Sequence, residues 1–520
     1  MKTKQLFFCS LTGLALLTTS CSSNDEALNG GDGTTSEGKT YAQIAISVAN
    51  SATTRTTTPG NTGDEAYGDD AEYTVNDLTV VLANENDIAM QVITPTLKTA
   101  TNTDDDDKLV RVTEPFKCTP GTYKVYVLAN YKNSQDALTP IIKGSTDMKA
   151  EFGITNIAKL STTDEFFMTN VSAPEGQEIK EAATGKELND AGKDETKEGA
   201  ATNLNILTVN VERAVSKVTF DNTDNQSFNV MVGDNKIATA TLEGASLINL
   251  NKKMYLVKKG RTATNKPAGV TDKWPYPMDP NYSQTSIDEA YCKANFEQRS
   301  ATVFPAPSTA TFYCPENTME ASAQLNGQTT GVVYKVKYAP EAAYYTELAA
   351  ENGTDSYSKM YEKVLALGKT EIAPTITNTI FTKADNEDGT FYSYNGYVFR
   401  SLAGARLYKA IATNTDGEAA TVNGAFKTEN NDGIQTYAEG YCYYTAWIKH
   451  NPGGTTMQQD KYGVVRNFWY ELKVNSIKKL GYSKPTYEKP TDPDDKAEAS
   501  IQVQVKIKKW RLVKQNVDLE

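Results

Sequence analysis

The stretch LNILTVNVERAVSKVTF, residues 204–220, alternates apolar and polar side chains along most of its length. A period of two is typical of a strand with one buried face. Seventeen residues are long for one strand, so the stretch predicts either one strand or two that cross between domains.

The same pattern recurs on both sides of this stretch, and turn residues such as Pro120-Gly121 separate the segments. Turns spaced by about 8 to 12 residues favour β-sandwich domains, so the predicted class is all-β. Helical periodicity is confined to residues 342–350 and 358–367. The other predicted strands are residues 41–48, 78–82, 123–129, 238–242, 309–313, 331–336, 392–399, 441–448, 468–477 and 500–513.

Composition limits the possible functions. The chain has 520 residues, which is long enough for two or three domains, and a formal net charge of -12. An acidic balance argues against nucleic-acid binding, which needs a basic surface. The one histidine, His450, excludes a two-histidine metal site and resembles a turn residue at a strand end. We expect no enzyme activity, no cofactor and no metal.

The N-terminus predicts export. Two lysines precede the apolar run LFFCSLTGLALL, residues 6–17, which is too short to span a bilayer but suits a signal peptide. Small residues before Cys21 resemble a lipobox, with Leu four rather than three positions before the cysteine. Acylation of Cys21, palmitate included, would anchor the precursor to a membrane. The alternative is an ordinary secretory signal with an incidental cysteine.

Four further cysteines are too few for a disulfide framework in so long a chain, and no CxxC spacing suggests zinc. Cys292 and Cys314 are candidates for a disulfide, whereas Cys118 and Cys442, beside strand-like runs, fit buried thiols.

Three segments have loop or linker composition. Residues 60–70 are rich in Gly and acid, and residues 173–202 are charged and lack periodicity. Residues 482–498 carry three prolines among charges, which predicts a semi-stiff spacer. The motif DDDDK, residues 104–108, is interpreted as a solvated acidic loop.

Both ends of the chain carry an amphipathic strand. Near the N-terminus the apolar face consists of Ile44, Ile46 and Val48. In the C-terminal strand it consists of Ile501, Val503, Val505 and Ile507, after which Trp510 and Leu512 continue in the other register. That slip, near Lys508-Lys509, predicts a bulge or a passage between grooves. Each strand is either an edge strand of its own domain, or the C-terminal one fills another subunit's sheet.

A Thr-rich segment with Arg55 before Thr56 follows the first strand. A lone basic residue in such a segment suits a trypsin-like protease. A cut there would separate the first strand and the lipid anchor from the rest of the chain.

Five stretches of the chain resemble Mfa-type major fimbrial subunits, the fimbrillins or type V pilins. They are VERAVSKV at residues 211–218, YYTAW at 443–447, VVRN at 464–467, NSIKKLG at 475–481 and the tail from Val503 through Trp510 to residues 517–519. The resemblance covers most of the chain, is most specific from residue 441 to the end, and is weak over residues 60–202.

This resemblance implies a structural shaft subunit of a cell-surface fimbria that supports adhesion. It implies two transthyretin-like β-sandwich domains and an outer-membrane lipoprotein precursor that an arginine-specific protease cuts between Arg55 and Thr56. The first strand, residues 44, 46 and 48 included, is then lost. The C-terminal donor strand of an identical subunit fills the groove, and anchor and tip pilins complete the fimbria. The implied segments are a signal peptide 1–20, a propeptide 21–55, domains 56–212 and 213–481, and an arm 482–520.

A different class remains open at this stage: a surface lipoprotein, tip or anchor subunit that binds glycans or proteins. Tyr441, Tyr443, Tyr444 and Trp447 would form its aromatic platform. A free C-terminal donor strand favours the shaft over the tip.

Overall fold

Strand follows strand through the chain, because alternating Val, Ile, Thr and Tyr residues fill the pleated, half-buried surface of a sheet. The computed structural model describes residues 40–48, 65–98, 109–181, 205–222, 226–260, 276–297, 301–341, 388–413, 431–485, 489–495 and 500–511. Within them the predicted all-β class is confirmed.

The N-terminal sheet joins nine of the described strands. In the middle of it, Asn205–Arg213 lies beside the first strand, Thr40–Val48, in parallel orientation. The order is Ala89–Ile93, Leu78–Ala83, Gly121–Ala129, Met168–Asn170, Asn205–Arg213, Thr40–Val48 and Leu109–Val112, with Gly176–Ile179 beside Gly121–Ala129 and Phe116–Cys118 beside Thr40–Val48.

Two further sheets follow. A five-stranded sheet has the order Glu65–Tyr67, Ile501–Arg511, Phe468–Ile477, Val215–Phe220 and Thr311–Pro315, and a four-stranded sheet has the order Ser227–Val232, Asn235–Ile248, Gly331–Pro340 and Tyr441–Trp447. The two sheets share a core, in which Phe220 meets Tyr334 edge-on with ring centroids 6.0 Å apart.

The long alternating stretch forms two strands, Asn205–Arg213 and Val215–Phe220, separated at Ala214. The first belongs to the N-terminal sheet and the second to the five-stranded sheet. The chain therefore crosses from one strand system to the next within this stretch, as the sequence predicts. The side chain of Ala214 is 1% exposed, so the crossing lies inside the core.

Smaller elements complete the description. The short pairings are Ser161–Thr162 with Glu165–Phe166, Leu250–Asn251 with Phe296–Glu297, Glu151–Gly153 with Lys253–Tyr255, and Phe391–Tyr394 with both Tyr397–Phe399 and Gln435–Tyr437. Among the described residues, the α-helices are Tyr131–Ser134, Glu289–Asn295 and Leu402–Thr413, and the 3-10 turns are Asp70–Glu72, Gln135–Ala137, Ile157–Leu160, Ala321–Ala323 and Ala438–Gly440.

Some local predictions are wrong. The predicted strand 392–399 is a hairpin, because Asn395 (φ 52°) and Gly396 (φ 83°) form a tight turn with both residues in the left-handed region. Loop composition misses Glu65–Tyr67 and Gly176–Ile179, which pair with strands far away in sequence. Both predicted helices fall outside the described residues, and the helix Leu402–Thr413 was not predicted.

The proline-rich segment 482–498 does not behave as a spacer where it is described. Asp494 is fully buried and accepts a hydrogen bond of 2.6 Å from the Thr329 hydroxyl. Asp495 forms a 2.5 Å ion pair with Lys461, and the Pro490 carbonyl accepts from the backbone N–H of Gly327. These contacts fasten the segment to the C-terminal sheets.

Buried positions explain the cysteines and the histidine. Cys118, Cys292, Cys314 and Cys442 are free and buried, so the candidate disulfide between residues 292 and 314 does not form. His450 lies in a bend three residues after the strand Tyr441–Trp447 ends, and its ring is fully buried, with Nδ1 2.7 Å from the Tyr470 hydroxyl.

Because the first strand lies in the middle of the N-terminal sheet, truncation of a buried side chain on it should destabilise the uncut chain. Ile46→Ala removes a fully buried side chain and should lower the free energy of unfolding of the uncut chain by about 2–5 kcal/mol in urea titrations. The matched control is Ile206→Ala on the neighbouring strand, where the side chain is 67% exposed and the loss should stay below about 0.5 kcal/mol. Equal losses would contradict the placement of the first strand.

Candidate strand-exchange site

The first strand, Thr40–Val48, lies between two neighbours and is not an edge strand. On one side it pairs in parallel with Asn205–Arg213, from Ala42 opposite Asn205 to Val48 opposite Val211. On the other side it pairs antiparallel with Leu109–Val112 and Phe116–Cys118. Its backbone therefore satisfies hydrogen-bonding groups on both flanks.

The inner face of the first strand is part of the hydrophobic core. Ala42, Ile44, Ile46 and Val48 each have no exposed surface. They belong to the same cluster of buried side chains as residues of the C-terminal sheets. The predicted apolar face is therefore correct, and it extends one position further towards the N-terminus.

The C-terminal strand, Ile501–Arg511, is called the arm here. In the single chain it lies within its own five-stranded sheet, antiparallel to Phe468–Ile477. The arm thus occupies its own subunit in this state, and the role as another subunit's donor strand remains a proposal.

The arm presents two different faces. Ile501, Val505 and Ile507 are 2%, 4% and 1% exposed, and Val503 is partly buried against the same core. The predicted bulge near Lys508-Lys509 is wrong, because pairing there is regular, with Lys508 opposite Trp469 and Lys509 opposite Phe468. The register shift instead lies between Val474 and Ser476 of the partner strand.

Because the pairing stays regular, Trp510 points to the opposite face of the sheet from Ile507. It is fully buried there, stacked on Tyr313 at 5.9 Å between centroids and edge-on to Phe166 at 6.1 Å. The Arg213 guanidinium carbon lies 3.9 Å from the ring centroid, which is cation–π geometry. Phe166 and Arg213 come from the N-terminal part of the chain, so Trp510 joins the two strand systems.

Buried charges surround this indole. Trp510 Nε1 donates to Glu72 Oε2 at 2.8 Å, and Lys217 Nζ lies 2.6 Å from Glu72 Oε1. Arg213 Nη2 donates to the Trp510 carbonyl at 2.6 Å. Burial lowers the pKa of Arg213 to about 10, against the opposing effect of Glu72 and Glu212. The guanidinium is therefore still charged at neutral pH and holds the arm's backbone through a charge-assisted hydrogen bond.

Several predicted site residues cannot be placed. Cys21, Arg55, Thr56 and Leu512 lie outside the described residues. The structure brings the first strand and the arm into one molecule but into separate sheets. Sequence patterns missed Glu72 and Arg213, because a charged residue in a polar segment carries no sign of burial. The unusual Arg between Val211 and Val215 in an otherwise alternating run was the available signal.

The aromatic platform predicted for a glycan-binding alternative is not an open surface. Tyr444 is 2% exposed and donates to the Lys479 carbonyl at 2.8 Å, and Trp447 is 4% exposed. Tyr441 and Tyr443, both half-buried, share the face of Trp447, opposite that of Tyr444, and Tyr443 packs against the same small cluster as Trp447. The aromatic side chains of this strand are therefore divided between its two faces and pack against the protein, so they do not form one open surface.

Other chemistry is not visible in the described part of the chain. There, no three His, Cys, Asp or Glu residues gather closely enough to hold a metal ion. None of the helices described has the length and apolar character needed to cross a membrane.

Comparisons with solved structures find remote similarity. A putative cell adhesion protein from Parabacteroides distasonis is 13% identical, with 91% of this chain and 99% of that chain covered and a TM-score of 0.40. A fimbrilin from Porphyromonas gingivalis is 13% identical, with 92% and 99% covered and a TM-score of 0.38. The tip fimbrial protein Mfa3 from the same species is 13% identical, with 90% and 100% covered and a TM-score of 0.27.

The sequence comparisons are more specific. No curated protein sequence matches the chain. Residues 42–213 match the family model described as "Major fimbrial subunit protein (FimA)", and residues 435–516 match "Major fimbrial subunit protein type IV, Fimbrillin, C-terminal". The first match begins in the first strand and ends at Arg213, and the second contains the arm. Two separate stretches of the chain are therefore similar to major fimbrial subunit proteins, the fimbrillins.

Proposed function

We propose that the chain is the shaft subunit of a cell-surface fimbria that supports adhesion and polymerises by donor-strand exchange. It is exported as a lipoprotein precursor, acylated at Cys21 and anchored to the outer membrane. An arginine-specific protease cuts after Arg55 and leaves domains 56–212 and 213–481 with the arm segment 482–520. Identical subunits then join head to tail, and anchor and tip pilins complete the fimbria.

The observation that carries this proposal is the central place of the first strand. Loss of Thr40–Val48 would leave a slot, defined here as the space between Asn205–Arg213 and the strands Leu109–Val112 and Phe116–Cys118. The slot has unpaired backbone groups on both flanks and an apolar floor. Such an opening is strongly unfavourable in water and favours an incoming strand.

The arm matches this slot in pattern. Each strand has four inward-facing apolar side chains at alternate positions. Pairing them in order gives Ile501 for Ala42, Val503 for Ile44, Val505 for Ile46 and Ile507 for Val48. A shift of two residues towards the N-terminus would bring Lys509 to the fully buried position of Val48, which the cost of burying a charge disfavours.

Energies explain why a cut is needed. Burial of four branched side chains contributes on the order of 6–12 kcal/mol, and association costs about 4–15 kcal/mol. An arm from another subunit cannot compete with a first strand that is covalently attached and therefore present at high effective concentration. Release of that strand makes the exchange irreversible. Arm and slot are different surfaces, so the contact does not close and a filament grows.

A peptide tests the exchange without altering the subunit. A synthetic peptide of residues 500–511, in excess over cut subunits, should cap open slots and shorten filaments in electron micrographs. The control peptide carries Ser in place of Ile501, Val503, Val505 and Ile507, and should leave the length distribution unchanged. Unaltered filaments with the native peptide would contradict donor-strand exchange.

The processing site has its own test. Arg55→Ala should leave a monomeric precursor that keeps its first strand, whereas Lys108→Ala in the acidic loop should assemble normally. N-terminal sequencing of mature filaments should begin at Thr56. A start elsewhere, or filaments from Arg55→Ala, would overturn this assignment.

A further inference from the structure

A short strand covers the free edge of the arm. Glu65–Tyr67 pairs in parallel with the end of the arm, with Glu65 opposite Lys509 and Tyr67 opposite Arg511. It forms the outer strand of the five-stranded sheet. In sequence it follows Arg55 by ten residues. The strand that begins ten residues after the proposed cut site therefore lies on the donor strand itself.

The turn after this strand is packed against Trp510. Glu72 is 2% exposed, and its Oε2 accepts from Trp510 Nε1 at 2.8 Å and from the backbone N–H of Asp69 at 3.0 Å. Its Oε1 accepts from Lys217 at 2.6 Å and from the Tyr313 hydroxyl at 2.5 Å. Glu72 therefore ties the segment before it to the arm and to the C-terminal sheet at once.

Gly68 shows how close this contact is. A Cβ atom at that position would lie 2.3 Å from Glu72 Oε2 and 2.6 Å from Trp510 Nε1. Neither atom has room to move, because both are buried and hydrogen-bonded to each other. Only glycine allows the chain between Tyr67 and Asp69 to pass over the indole.

We propose that residues 65–72 act as a strap that holds the arm in its own subunit, and that cutting after Arg55 loosens this strap. One cut would then prepare both partners of the exchange, the empty slot and the free arm. This inference rests on the proposed function and adds to it the control of the donor.

The physical reason lies in the connection of the strap. In the uncut chain, residues 49–64 join the strap to the first strand, which is fixed in the core on both flanks. The strap is thus held at both of its ends, which favours its contact with the arm. After the cut the strap lies close to a free N-terminus. A three-residue strand near a chain end readily unfolds locally, so its pairing with the arm is weakened.

Hydrogen exchange followed by mass spectrometry tests the strap on monomers. In dilute, uncut protein the amides of residues 501–511 should be protected, and after cleavage they should exchange at least about tenfold faster. Unchanged protection after the cut would overturn the inference.

Two variants separate the strap from the cut. Gly68→Ala should speed exchange of the arm in uncut protein, whereas Gly260→Ala, where the new methyl group meets no atom within 4 Å, should not. A disulfide between Glu65→Cys and Lys509→Cys should keep the arm protected after the cut until a reductant is added. Equal exchange in Gly68→Ala and Gly260→Ala, or an arm released despite the disulfide, would contradict the strap.

These results are independent of assembly. If the cut releases the arm but no filaments form, the proposed function is contradicted and the inference about the strap still holds. Filaments that form while the arm in cut monomers stays protected would sink the strap and leave the exchange intact.

Discussion

The structure depends on one constraint: the first strand, Thr40–Val48, is hydrogen-bonded on both sides and fully buried on its inner face. An edge strand can leave a sheet and expose one row of backbone groups, whereas a central strand exposes two rows and a strip of core. A chain built in this way is stable only while something fills that position. In the uncut chain this strand is covalently attached, which is the simplest way to keep that position filled.

The arm faces a related constraint. Its isoleucine and valine face completes the C-terminal core, and on its other face Trp510 is held between Arg213, Glu72 and two aromatic rings. An arm with two buried faces does not leave spontaneously, so closed monomers are favoured in both halves of the molecule. The junction around Trp510 makes the N-terminal and C-terminal strand systems neighbours. It also places residues 65–72 on the arm, where we propose that their contact depends on whether the chain is cut after Arg55.

Sequence predicted the parts of this fold that are local. Alternation with a period of two located Phe468–Ile477 and both terminal strands, because side-chain direction in a strand depends on neighbouring residues alone. Pairing between distant segments has no such local signal, which is why Glu65–Tyr67 was interpreted as loop. The burial of Glu72 and Asp494 had no local signal for the same reason, and that of Arg213 had only its place in an alternating run, since each side chain hydrogen-bonds to a partner far away in sequence.

The most direct test of the central claim is a cross-link between subunits in mixed filaments. In the proposed register Lys506 replaces Ser47 and lies beside Asn210, and the cysteines Cys118, Cys292, Cys314 and Cys442 are buried and do not interfere. Cut subunits with only Asn210→Cys are mixed with cut subunits with only Lys506→Cys and oxidised. The account predicts disulfide-linked dimers of the two variants. The second cysteine is then moved from position 506 to Gln504 or Lys508. Filaments that form without disulfide-linked dimers at all three positions would contradict donor-strand exchange.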